Sequence, residues 1–184
     1  MTFCRSLVLL AIIPGAASAA HWNVDHAKSH LGFAVKWSGE PFVATFKTWN
    51  ADIHLDPDDL THAHIVAAID LASEVSDSPE NDTSLKGSEG LFVSQYPAAR
   101  FVSSNIVRRD ATSYVANGTL ALHGFTRVLD LPFTLTITGN RARAEGKSVV
   151  SRLDFGIGMG EWAASQPIDH AVIIDVELEA VRVP

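Results

Sequence analysis

The residues of this chain that could carry out chemistry are histidines, carboxylates and serines, and their spacing argues against the common catalytic sites. The sequence has 8 histidines and 21 acidic residues, but it lacks a Gly-x-Ser-x-Gly turn, a His-Glu-x-x-His motif and a phosphate-binding loop. Gly156–Gly160 lacks the helix that should follow a dinucleotide loop, so it is interpreted as a turn. Arg152 with Asp154 is the one internal charged pair worth inspecting. We therefore expect no catalytic residues, no cofactor and no enzyme.

His62 and His64 have a spacing that could bind a metal. Residues two apart on a strand leave the same face, and two imidazoles on one face suit zinc or copper. The pair alternates with Ala63 and Ile65, so it is expected to point outward, alone on its face and solvated. The histidines near the amino end, His21, His26 and His30, are interpreted as adventitious ligands only. The sequence thus predicts no metal site.

Composition limits the scaffold that positions these residues. The 184 residues are 47% hydrophobic and 19% charged, with a net charge of -7. This acidic balance disfavours nucleic acid as a partner. The single Cys4 has no partner for a disulfide within the chain. One globular domain with its own core is expected at this length.

The amino-terminal residues have the pattern of a secretory signal peptide. Arg5 supplies a positive charge, Leu7–Ile13 is an apolar stretch, and Ala17–Ala19 is a small-residue pattern that signal peptidase cuts. The sequence thus predicts a signal peptide over residues 1–19, a single domain over residues 20–184, and a periplasmic location.

Most of the remaining chain alternates between apolar and polar residues, which is typical of strands with one buried face. Alternation is clearest over Leu31–Trp37, Ala63–Leu71, Leu129–Ile137 and Val172–Ala180. Further strand-like runs are Trp22–Asp25, Phe42–Leu55, Ala99–Val107, Tyr114–Leu122 and Arg143–Phe155. Short connections between so many strands predict an all-β antiparallel sandwich or barrel.

One segment, residues 74–97, which we call the excursion, interrupts this alternation of apolar and polar residues. It is polar first and apolar at its end, with a short helix expected near Asp82–Gly87, capped by Asn81 or Asp82. An excursion of this length in a compact β domain is unusual. It is interpreted as either a lid over a binding site or a plug in one end of the barrel.

A set of short motifs resembles the YceI-like family in content and order, across nearly all of residues 20–184. The motifs are Trp22-Asn-Val-Asp25, Ser29-His-Leu-Gly-Phe33, Ile69-Asp-Leu-Ala-Ser73, Gln95-Tyr-Pro97 followed by Phe101, Gly118-Thr-Leu-Ala-Leu-His-Gly124 and Arg152-Leu-Asp-Phe-Gly-Ile157. The resemblance implies an extended, lipocalin-like antiparallel barrel of eight strands with a short helical excursion around residues 80–95.

The resemblance also implies a function. Its characterised type holds an isoprenoid chain inside the barrel, so we expect a binding or carrier protein for a polyisoprenoid or quinone-like lipid. The alternative is a soluble accessory of a membrane b-type cytochrome, without catalysis of its own. This sequence departs from the family pattern at Trp37 and Ser84, where many relatives have histidine. These departures concern the polar contacts that those histidines could make.

The expected ligand tunnel is lined by the inward-facing apolar residues of several strands and of the excursion. These are Phe33, Val35, Trp37, Phe46, Ile65, Ala67, Ile69, Leu85, Phe92, Phe101, Leu120 and Phe133.

Overall fold

The structure is a computed structural model that describes residues 19–184. The predicted signal peptide, Cys4 included, lies outside the described residues apart from Ala19. The described chain contains eleven strands and one α-helix. The strands are β1 His21–Val24, β2 His30–Trp37, β3 Glu40–Phe46, β4 Trp49–Asp56, β5 Asp59–Asp70, β6 Glu74–Val75, β7 Ala98–Arg108, β8 Ser113–Leu122, β9 Phe125–Thr138, β10 Arg141–Ser151 and β11 Ile168–Arg182, and the helix is α1 Pro79–Lys86.

The strands form one antiparallel sheet that closes into a barrel. Their order is β1-β4-β5-β7-β8-β9-β10-β11-β2-β3-β6, and a further pairing of β1 with β11 closes the ring. The closed ring contains eight strands, from β1 through β4, β5 and β7–β10 to β11. The predicted all-β, eight-stranded antiparallel barrel with one short helix is therefore confirmed.

The long strand β11 organises both ends of the barrel. Ile168–Glu177 pairs with β2, whereas Ala180–Arg182 pairs with β1. Strands β1 and β2 thus follow one another along the same edge of β11. Two strands also share the next position around the barrel, since β4 pairs with β1 and β3 pairs with β2.

Two of the predicted strand runs are interrupted or shortened by several residues in the structure. The run Phe42–Leu55 is split into β3 and β4 at Lys47–Thr48, where Lys47 N–H donates to the Ser73 carbonyl rather than to a neighbouring strand. The run Arg143–Phe155 ends as a strand at Ser151, because Arg152–Phe155 forms a 3-10 turn. Gly156 follows in the left-handed conformation and ends that turn.

The excursion folds over one end of the barrel. Helix α1 begins at Pro79, after Ser78, and so it starts before the predicted Asp82–Gly87. The prediction of Asn81 or Asp82 as the cap is wrong, because Pro79 fits the first helical position, where no N–H is needed. The described residues include no helix with the length and apolar character that crossing a membrane requires.

Candidate functional site

Two cavities lie end to end inside the barrel. The inner cavity has a volume of ≈ 150 Å³ and the outer cavity, beside α1, has a volume of ≈ 570 Å³. Leu31, Ile69 and Ile174 line both, so the two spaces meet at these side chains. The outer cavity alone is within the roughly 300–1,000 Å³ range of small-molecule sites.

The inner cavity exists because small side chains face it from four strands. Ala51, Ala67, Ala142, Ala144, Gly146 and Ala180 contribute little volume to its wall. Its remaining lining consists of leucine, isoleucine, valine, phenylalanine and tryptophan side chains. No ionisable side chain of the described residues lines it, so a polar ligand group placed there would lose its hydration without compensation.

The two cavities together extend along most of the barrel. On β11 the lining runs from Ile168 in the outer cavity to Ala180 in the inner one. The twelve steps between these thirteen residues span roughly 40 Å along a strand. The usual tilt of barrel strands reduces this to roughly 30 Å along the axis. Such a path suits a long, narrow molecule.

Trp22 lies at the inner end, where it lines the cavity with 3% of its surface exposed. Its indole N–H donates to the Leu55 carbonyl at 2.8 Å, and the Arg182 guanidinium lies 5.2 Å from the ring centroid. The indole's one hydrogen-bond donor therefore has a partner, although the ring is buried.

The outer cavity is bounded by α1, by the segment that follows it and by the loop before β11. Its lining is apolar on the barrel side and contains polar side chains on the side of α1 and the loops. These polar residues are Glu80, Asn81, Ser84, Ser88, Glu89 and Arg152. Leu85 and Leu91 close the space from the same segment. The excursion thus covers one barrel end and also forms a wall of the cavity, as both a lid and a plug would.

Arg152 holds the loop before β11 in place. It is 5% exposed and donates to six backbone carbonyls at 2.5–3.1 Å. The acceptors are the carbonyls of Ile157, Gly158, Trp162, Ala164, Ile168 and Asp169. Burial lowers the pKa of this guanidinium, which nonetheless stays charged. We name residues 156–167, which this side chain organises, the mouth loop.

The Arg152–Asp154 pair considered as a possible catalytic couple does not form. Asp154 is exposed, and all the hydrogen bonds of Arg152 go to carbonyls. The reason is the 3-10 turn over these residues, which replaces strand alternation and sends the two side chains apart.

Gly158 is required by this arrangement. Its φ is +63°, and a Cβ atom there would lie 2.6 Å from an Arg152 guanidinium nitrogen. Its N–H also donates to the Glu89 carbonyl at 2.9 Å, which connects the mouth loop to the excursion. The interpretation of Gly156–Gly160 as a turn is confirmed, since all three of its glycines have positive φ.

Glu74 is a fully buried carboxyl beneath α1. Its exposure is 0%, and neither carboxyl oxygen has a hydrogen-bond partner among the described residues. Burial, reinforced by the charge of Asp82, raises the pKa of Glu74 to about 7, although Lys86 lies 3.7 Å away and opposes this. In contrast, hydrogen bonds from Ser76 lower the pKa of Asp82. This titratable group therefore lies between α1 and β6, the strand that joins the excursion to β3.

Most of the predicted tunnel residues line the two cavities. Phe33, Val35, Trp37, Phe46 and Leu85 line the outer cavity, Ile65, Ala67, Phe101 and Phe133 line the inner one, and Ile69 lines both. Their contact with a ligand stays a prediction. Trp37 and Ser84, the two positions that depart from the family pattern, both lie on the outer cavity.

Two predicted tunnel residues lie elsewhere. Phe92 has φ +47° in the segment after α1, and its ring packs edge-on against Tyr96 at 6.1 Å. Leu120 is 6% exposed in the packed core, opposite Phe101 on β7. The Phe101 ring lies over the neighbouring Gly118, where an added Cβ would be 2.9 Å from it. That ring therefore fills the space beside β8.

Sequence reasoning missed several lining residues. Ile174, Leu131 and Leu178 belong to strands whose alternation was recognised, so the pattern itself contained that signal. Sequence reasoning considered Arg152 only as a partner of Asp154, and it did not identify Glu74, which lines neither cavity. A buried ionisable residue in a 3-10 turn or in a two-residue strand is not part of an alternating apolar and polar pattern, so the sequence shows no sign of its burial.

Comparison with known proteins identifies the family. The family model of the YceI-like domain matches residues 22–180. This chain belongs to the YceI-like family. A relative called UPF0312 protein, from Pseudomonas savastanoi pv. phaseolicola, is 28% identical over 192 aligned positions that cover 97% of each chain. Another UPF0312 protein, from Serratia proteamaculans, is 29% identical and covers 89% of this chain and 88% of its own.

Solved structures share the fold of this YceI-like chain. BcnA of Burkholderia cenocepacia superposes with a TM-score of 0.83 at 27% identity, covering 86% of this chain and 100% of BcnA. A polyisoprenoid binding domain from Saccharophagus degradans superposes with a TM-score of 0.70 at 15% identity, covering 90% and 99%. The second likeness shows the shared fold.

Proposed function

We propose that this YceI-like protein binds and carries a long-chain lipid, a polyisoprenoid or a quinone-like molecule, with its tail in the inner cavity. The observation that carries the proposal is the junction of the two cavities at Leu31, Ile69 and Ile174, with hydrocarbon on one side and polar side chains on the other. The polyisoprenoid binding domain from Saccharophagus degradans, which has the same fold, supports it. The energetics support it too, because each buried CH₂ group contributes about 0.8 kcal/mol.

This arrangement predicts how affinity depends on the ligand. Lengthening the tail should strengthen binding about fourfold per CH₂ until the inner cavity is full. The head group would lie beside α1 and the mouth loop, where Ser84 and Ser88 offer hydroxyl groups. In this proposal the protein acts as a binding protein.

The test is lipid analysis of the purified protein together with two matched tryptophan variants. Ala67 lines the inner cavity, whereas its neighbour Ala68 is exposed on the outer face of β5. Ala67→Trp should abolish co-purifying lipid and binding of isoprenoid alcohols of rising length, while Ala68→Trp retains both. Both variants should keep the far-UV circular dichroism of the wild type.

Two outcomes would contradict the carrier function. The first is a wild-type protein that is free of lipid and binds no isoprenoid alcohol. The second is an Ala67→Trp variant destabilised by more than about 3 kcal/mol, which would indicate a dry, packed core at that point. Either result would favour the accessory role beside a membrane b-type cytochrome, which stays a prediction.

We also propose that the protein is exported to the periplasm after removal of residues 1–19. Arg5, the apolar stretch and the Ala17–Ala19 pattern support this. Amino-terminal sequencing of envelope material should read Ala20-His21-Trp22. An intact Met1 in that fraction would contradict it.

A further inference from the structure

Three histidines form a row across the outer face of the barrel. His21 on β1 is the direct cross-strand partner of His54 on β4, which is in turn the partner of His64 on β5. The rings stack as a column, with centroids 4.6 Å apart for the first pair and 4.5 Å apart for the second. Asp52 precedes His54 by two positions on β4 and shares its face.

One nitrogen of each of the three rings faces the Asp52 carboxylate. Its oxygens lie 3.4 Å from Nε2 of His21, 3.2 Å from Nε2 of His54 and 4.0 Å from Nε2 of His64. For His21, Asp52 and His54, the potential ligand atoms all lie within 4.8 Å of one another. The Nε2 atoms of His21 and His54 therefore converge on Oδ1 of Asp52, and Nε2 of His64 faces the other oxygen, Oδ2, of the same carboxylate.

The tautomer of His64 suits coordination. Its Nδ1 lies 3.1 Å from the His62 carbonyl oxygen, which can only accept a hydrogen bond. A proton on Nδ1 leaves the lone pair on Nε2, the nitrogen that faces Asp52. A ring nitrogen held by a backbone carbonyl is the usual support of a metal-bound histidine.

We propose that His21, Asp52, His54 and His64 bind one Zn²⁺ ion. Three imidazole nitrogens and a carboxylate oxygen form a donor set that zinc accepts in tetrahedral geometry, whereas Mg²⁺ and Ca²⁺ prefer oxygen ligands. The side chains are 29–51% exposed, so they are free to rotate inward to the shorter bonds that zinc requires. The expectation that His62 and His64 are alone on their face is wrong, since strand pairing places His54 beside His64.

This site has a structural consequence that is independent of the lipid cavity. Strand β1 is four residues long, and its pairing with β11 closes the barrel. A bound ion would connect β1 to β4 and β5 through side chains, in addition to the backbone pairing. Zinc should therefore raise the thermal stability of the protein, since a ligand that binds only the folded state stabilises it.

The experiment is a Zn²⁺ titration of untagged, chelator-treated protein against a fluorescent zinc indicator. The expected result is one ion per chain with a submicromolar Kd, together with a rise in melting temperature on adding zinc. His54→Ala removes the central ligand and should weaken binding at least tenfold. Asp52→Asn should weaken it as well. His62→Ala is the matched control and should leave the Kd within twofold, because its ring lies outside the converging set.

Folding of the variants is checked by their melting temperatures in chelator, which should equal that of the wild type. A wild-type Kd weaker than about 10 µM, an unchanged Kd in His54→Ala, or an equal loss in His62→Ala would each overturn the site. If His54→Ala has a lower melting temperature than the wild type in chelator, His54→Gln is used instead. Its zinc affinity should also be at least tenfold weaker than that of the wild type.

Discussion

The two ends of the barrel interior are built on different principles. The inner end is walled by regular strands with small and apolar side chains, and its shape follows from strand alternation. The outer end is walled by irregular segments that depend on two buried ionisable groups, Arg152 and Glu74. Contacts between hydrocarbon groups depend little on the exact structure of the ligand, whereas the interactions of buried ionisable groups depend strongly on substitution and on pH. The inner end should therefore set tail affinity, and the outer end should control entry.

The largest expected effect concerns Arg152 at the outer end. Arg152→Met removes the donors of six carbonyls, and unsatisfied buried acceptors should cost about 3–5 kcal/mol of unfolding free energy. Arg143 is the matched control, because it is 56% exposed, and Arg143→Met should change stability by less than about 0.5 kcal/mol. Urea unfolding measures both. Equal midpoints would show that the mouth loop does not depend on Arg152.

A second prediction tests whether the inner end is an open space. Ile106 on β7 is 3% exposed and lines neither cavity, so Ile106→Ala should cost about 3–5 kcal/mol. Ile65 borders the inner cavity, and Ile65→Ala should cost less, about 2 kcal/mol, because fewer contacts are lost beside an existing void. Urea midpoints of lipid-free protein compare the two. Equal losses would mean that the wall at Ile65 is as tightly packed as the core.

A third, smaller effect is the pH dependence of the outer end. The pKa of Glu74 is raised from 4.5 to about 7, so the folded protein prefers the protonated carboxyl. Its stabilising contribution is complete below about pH 4.5 and is lost as the pH rises through about 7. The wild type should therefore lose about 2–3 kcal/mol relative to Glu74→Gln between pH 4.5 and 8.

The Glu74→Gln comparison cancels the pH-dependent contributions of the other ionisable groups, because both proteins contain them. Asp82 and Lys86, the charged groups that face Glu74, are present in both proteins. Stability curves that stay parallel across this range would refute a buried, neutral Glu74. Lipid release that accelerates with rising pH in the wild type alone would show that this carboxyl controls opening of the excursion and would favour the lid over the plug.

Residues with a periodic pattern were predictable from the sequence. Ile65, Ala67 and Ile69 alternate on β5, and this local spacing alone placed them on the inner face that the structure shows. Strand alternation is a property of neighbouring residues, so it needs no knowledge of the fold. Phe92 had no such pattern to place it, because it lies in the excursion, where no alternation applies, and the structure puts it outside both cavity linings.

Most of the β strands, their inward faces and the family motifs could be predicted from the sequence, because each depends on residues that are close together along the chain. The features that combine distant segments depend on tertiary structure. His21, His54 and His64 share a row because β1, β4 and β5 are neighbours in the sheet. Arg152 is buried because the mouth loop folds back over it, which presents six carbonyls from two segments to one side chain. Strand order and loop closure depend on the packing of the whole core, and no local pattern specifies them.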